Sequence, residues 1–95
     1  MLNQSVAITG DEIKRIRERL GLTQAQFGSL LNAHFVTVSR WETNQLRPDT
    51  FQVAILSELD QAASEKQLRE NLKAVLIGYG IGAALYLVLR AARQG

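Results

Sequence analysis

Apolar residues recur at three- and four-residue steps in a series of short runs, each opened by a polar residue suited to capping and closed by a turn former. Ile13, Ile16 and Leu20 follow the candidate N-caps Thr9 and Asp11 and stop at Gly21, which predicts a first helix. Thr23 opens a second, with Phe27, Leu30 and Leu31 facing inward. Gly28 lies inside it, where glycine costs up to about 1 kcal/mol relative to alanine, so it reads as the point where the third helix comes close. Asn32 suits a left-handed turn, a third helix runs from about Phe35 to Thr43, and Pro48 ends the loop after it. Asp49 caps a fourth helix carrying Phe51, Ile55, Leu56 and Leu59. These four helices make a complete small core.

The pattern changes beyond residue 60. Gln61 to Asn71 is polar and free of glycine and proline, and it leads into Ala74 to Leu89, sixteen residues without a charge between Lys73 and Arg90. The whole reads as one continuous hydrophobic C-terminal helix, so the chain divides into residues 1–60 and a helical segment, 61–95. Leu68, Leu72, Val75, Tyr79, Gly82, Tyr86 and Leu89 recur at alternating four- and three-residue steps, a heptad seam for a second copy. Ala74, Gly78 and Gly82 also form a small-residue ridge suited to a membrane, although the uncharged run is shorter than the roughly 20 residues of a usual span. The seam, and with it a homodimer, is the favoured expectation; an inner-membrane anchor over 74–89 is the alternative. The opening MLNQSVAITG lacks a basic flank before an apolar run, so no secretory signal is expected.

Charge changes this picture little. The net charge of +2 hides a division: residues 1–60 hold six bases (Lys14, Arg15, Arg17, Arg19, Arg40, Arg47) against seven acids, while the remainder holds five bases against two acids. A nucleic-acid partner therefore has to be argued from the placement of single bases. The chain has no cysteine, which removes disulfides and thiolate zinc sites and fits a reducing compartment. His34 is the only histidine, so no metal site is expected, and its position suggests a helix cap or a phosphate contact. Ser29, Ser39, Ser57 and Ser64 have no histidine base. Gly78-Tyr79-Gly80-Ile81-Gly82-Ala83 satisfies the glycine pattern of a dinucleotide-binding turn, but only twelve residues follow it, too few for the helix, strand and acid that motif requires. Neither a cofactor nor an enzymatic activity is expected.

The stretch IKRIRERLGLTQAQF, the spacing from it to VSRWE, and the RPD loop before the fourth helix carry a specific likeness. Ile8 to Leu59 resembles the phage-repressor and Cro-like helix-turn-helix domains of the XRE family. The resemblance implies an all-α fold, a four-to-five-helix lambda-repressor-like domain followed by the hydrophobic C-terminal helix. It also implies a cytoplasmic regulator at the nucleoid, a dimeric repressor reading a pseudo-palindromic operator in double-stranded DNA through the major groove. By the same likeness Gln24 touches a phosphate and supports the recognition helix, Phe35, Val36, Ser39 and Arg40 read bases, and Asn44, Gln45 and Arg47 lie along the DNA backbone with His34. Arg17 and Glu42 fall where relatives have an ion pair between the first and third helices. Two departures stand out: His34, Phe35 and Val36 replace a small polar cap and polar readers, and Asn44 replaces a glycine. Apolar readers suit thymine methyl groups, and Arg40 suits guanine O6 and N7. The rival reading is a protein-interaction module, an antitoxin bound to a toxin or a membrane-tethered adaptor, with Phe35 and Val36 on a protein partner.

Overall fold

The computed structural model describes residues 8–94, and they form six helices: α1 (Gly10–Arg19), α2 (Gln24–Leu30), α3 (Phe35–Glu42), α4 (Thr50–Ser64), α5 (Lys66–Tyr79) and α6 (Ile81–Gln94). Residues 1–7, on which the expectation about a secretory signal falls, lie outside the described residues. Three helices begin with the same device. Thr9 accepts from the Glu12 N–H while the Glu12 carboxylate accepts from the Thr9 N–H, and Thr23 with Gln26 and Asp49 with Gln52 repeat the arrangement. Thr9 is thus the cap of α1, and Asp11 lies within the first turn. Asn32 adopts the left-handed backbone expected of it (φ 53°) and Asn44 does the same (φ 63°).

The core is assembled from every helix. Ile13 and Ile16 of α1, Phe27 of α2, Val38 and Trp41 of α3, and Leu56 and Leu59 of α4 are buried together with Leu31 of the turn. Leu72 of α5 and Ala84 and Val88 of α6 join that same cluster, because α6 packs on α5, α4 and α2. The boundary expected at residue 60 falls inside α4, which runs on to Ser64. At Gly28 a side chain would strike the carbonyl of Ala33 in the turn and come within 3.1 Å of Val38 Cγ2, so the close approach there is to the turn first and to α3 second.

The C-terminal segment departs from the expected single helix. Gly80 takes φ 99°, ψ −179°, a region open in practice only to glycine, and ends α5. α6 then folds back on α5 as a hairpin. The break dissolves the seam as one line of contact, since the heptad register holds only while the helix is continuous. Leu72 is wholly buried and Val75 half-buried, whereas Tyr79, Gly82, Tyr86 and Leu89 are exposed. The same break ends the prospect of a single span over 74–89: fourteen-residue helices are about 21 Å long against roughly 30 Å of hydrocarbon. Among the described residues no helix is long and apolar enough to cross a membrane.

Candidate nucleic-acid interface

α2, the turn Leu31–His34 and α3 form the compact pair foreseen in the sequence, and the orientation of α3 is set from its inner side. Val38 and Trp41 are buried, which turns Phe35, Val36, Ser39 and Arg40 to the opposite side of the helix. Phe35, Val36 and Arg40 are exposed and Ser39 half-buried, so the four expected base readers share one face. Thr43, not singled out from sequence, continues that face four residues beyond Ser39. Its hydroxyl donates to the Ser39 carbonyl at 3.0 Å and accepts from Gln45 Nε2 at 2.8 Å. The i, i+4 step from Ser39 was the available signal.

His34 is the N-cap of α3, its Nδ1 accepting from the Val36 N–H at 3.3 Å. Nε2 is the nitrogen left to donate outward to a ligand. The imidazole also lies against the Phe35 ring, centroids 4.6 Å apart. The cap and the first apolar side chain of the exposed face therefore hold one another.

One carboxylate fastens α3 to the rest of the module. Glu42 at its C-terminal end accepts from Arg17 Nε at 2.6 Å and from Arg17 Nη2 at 3.1 Å, a bidentate pair with side chains only 14% and 5% exposed. Arg17 Nη1 donates in turn to the Leu22 carbonyl at 3.0 Å, and Gln24 Nε2 donates to Glu42 Oε1 at 3.1 Å. α1, the α1–α2 turn, α2 and α3 thus converge on a single group. The hydrogen bond to Glu42 holds the Arg17 guanidinium above its ordinary, already high, pKa, against the cost of burial. Gln24, the residue expected to support α3, thus commits one amide hydrogen to Glu42 and makes no second donation among the described residues.

After α3 the chain turns on Asn44. Its left-handed backbone lets the Gln45 and Leu46 N–H groups both donate to the Arg40 carbonyl, while its side-chain oxygen accepts from the Gly10 N–H at 3.0 Å. Gly10 must be bare, because a Cβ there would strike the Glu42 and Trp41 carbonyls. Asn44 therefore ties α1 to the end of α3, a role that thirty-four residues of separation hide in the sequence. Gln45 and Arg47 are exposed on the loop. Arg40 and Arg47 take part in no ion pair among the described residues, and no cluster of potential metal ligands occurs among them.

A fixed helix with one outward face of mixed apolar, hydroxyl and guanidinium groups, followed by a loop with a free arginine, is the geometry of a helix that enters a DNA groove. No curated protein and no solved structure matches the chain, whereas residues 13–61 match the family model described as Helix-turn-helix. That match takes in α2, α3 and the ion pair between Arg17 and Glu42, and it spans more than half of the sequence: the chain belongs to the helix-turn-helix family of DNA-binding regulators, the class of phage-repressor and Cro-like domains that its sequence resembles.

Proposed function

We propose that the chain is a sequence-specific transcription regulator, a repressor that occupies a pseudo-palindromic operator in two copies. The observation that carries this is the outward face of α3, where Phe35, Val36, Ser39 and Arg40 are presented together while Glu42 and Trp41 hold the helix from behind. Phe35 and Val36 contact thymine methyl groups in the major groove, and Arg40 donates in bidentate fashion to guanine O6 and N7. Gln24, His34, Gln45 and Arg47 lie on phosphates; Asn44, whose side-chain oxygen is engaged with Gly10, contributes through its backbone turn. An eight-residue reading helix covers one half-site only, so two copies spaced about one turn of DNA apart, roughly 34 Å, supply the affinity one copy lacks.

Selection of genomic fragments by the purified full chain tests this. The expected result is an enriched motif with two-fold symmetry and thymine and guanine in each half-site. Retention of fragments without any shared motif, released uniformly by salt, would count against sequence reading and leave the exposed Phe35–Val36 pair to a protein partner.

A further inference from the structure

The turn between α5 and α6 is not absorbed by DNA binding, and its chemistry is unusual for an exposed turn. From Ala74 to Leu89 no side chain is charged, and beyond Glu70 the sequence holds Lys73, Arg90 and Arg93 but no acid. Turns that face water are ordinarily polar. Here Ile77 is 67% exposed, Tyr79 83% and Tyr86 66%, with Ile81 also exposed. A Cβ added at Gly78, Gly80 or Gly82 would meet nothing within 4 Å among the described residues, so none of the described elements covers these three positions. Tyr79 and Tyr86 together expose on the order of 300 Å², taking roughly 200 Å² for a tyrosine.

Charge decides between a second copy and a lipid surface as the occupant. Lys73 lies seven residues before Gly80 and Arg90 ten after it, which places the two exposed bases about 10 and 15 Å back from the tip at 1.5 Å per residue. A second copy seated on the tip would bring no carboxylate from this end of the hairpin to answer these bases. A layer of anionic headgroups answers them all. The dimensions also agree: interfacial elements bury their apolar face by about 5–10 Å, tyrosines settle at headgroup level, and bases behind them reach the phosphates. We propose that the α5–α6 turn, Ile77 to Gly82, inserts shallowly into an anionic lipid surface, with Tyr79 and Tyr86 at the interface and Lys73 and Arg90 on the headgroups. This contact is a monotopic one and does not span the bilayer. It stands independently of the DNA reading.

Sedimentation of the full chain with vesicles tests it, using equal parts of phosphatidylglycerol and phosphatidylcholine in one set and phosphatidylcholine alone in the other. The chain pellets with the anionic vesicles, is left in solution by the neutral ones and is released by salt. Lys73→Gln with Arg90→Gln lowers the partition by roughly thirtyfold. Ile77→Asp with Ile81→Asp abolishes it while leaving the melting curve unchanged, since both side chains are exposed. Tryptophan emission from Tyr79→Trp shifts to the blue on adding anionic vesicles. Equal partition onto both lipids overturns the proposal, as does absence of binding. A concentration-dependent dimer that Ile77→Asp disperses, with no vesicle binding, would assign the tip to a second copy instead.

Discussion

Arg17→Ala isolates the interaction that holds the reading helix in place. The Glu42 carboxylate is 5% exposed and takes two hydrogen bonds from Arg17 and one from Gln24. Removing the guanidinium leaves a buried carboxylate with a single amide donor and also strips the Leu22 carbonyl of its partner. An exposed pair would lose about 0–1 kcal/mol, but one-sided removal from a buried pair costs about 3–5 kcal/mol because the remaining charge is unpaired. Against a total stability of about 5–15 kcal/mol this is a large share. Urea denaturation of the full chain at neutral pH, followed by far-ultraviolet circular dichroism, supplies the free energies. A cycle of Arg17→Ala, Glu42→Ala and the double variant separates the pair from its surroundings. Replacing both residues by Met and Leu is expected to recover most of the loss, since two apolar side chains leave no charge stranded. Single variants that each cost under about 1 kcal/mol and simply add would make the pair a solvated one of no structural weight.

Other perturbations probe other parts of the chain. Trp41→Ala, at 1% exposure in the centre of the core, is expected to cost about 3–5 kcal/mol by the same urea titration. Gly80→Ala places a side chain at φ 99° and is expected to lower stability by about 1–3 kcal/mol, whereas Gly82→Ala in the first turn of α6, with open space around it, should be neutral or stabilising. The Glu12 carboxylate is held below its ordinary pKa chiefly by the Thr9 N–H and next by the Thr9 hydroxyl. Its contribution is fully present above the unfolded value of about 4.3 and is lost as pH falls through the lower folded value, so Glu12→Gln should flatten the acid limb of the urea midpoint while retaining the cap. Arg40→Ala should remove about 1–3 kcal/mol at the selected site and flatten base preference, while Arg47→Ala should weaken all sequences alike and make the salt dependence shallower, both read by titration of labelled duplexes.

Of the first four helices, α1, α2 and α4 were legible because each is announced twice, by a cap and by a stripe of apolar residues at helical spacing, whereas α3, capped by His34, was placed by the turn at Asn32. Thr9, Thr23 and Asp49 each have Glu or Gln three residues on, and it is that partner that makes Thr9 the cap in preference to Asp11. The outward face of α3 was legible through the resemblance, which sets Phe35, Val36, Ser39 and Arg40 outward and so turns Val38 and Trp41 towards the core. Contacts between distant residues were not legible: nothing local marks Asn44 as the acceptor for Gly10, or shows that Glu42 is buried enough for its ion pair to matter. The C-terminal hairpin was misjudged for a different reason. The four-three spacing from Leu68 to Leu89 runs straight through Gly80, and pattern alone cannot say which of Gly78, Gly80 and Gly82 takes a positive φ. Three glycines within five residues, each costing about 1 kcal/mol in a helix, were the local evidence for a break.

If the outer face of α3 reads base sequence, its side chains carry the discrimination between duplexes. Replacing Phe35, Val36, Ser39 and Arg40 together by alanine leaves the buried side of α3 intact, so a variant with an unchanged melting curve can be compared directly with the parent chain. Competition binding measures the ratio of affinities for a selected duplex and for its scrambled counterpart at one salt concentration. This ratio is expected to collapse towards one while weak, salt-sensitive binding persists through the loop and α2. A ratio unchanged from the parent chain would contradict base reading by this face.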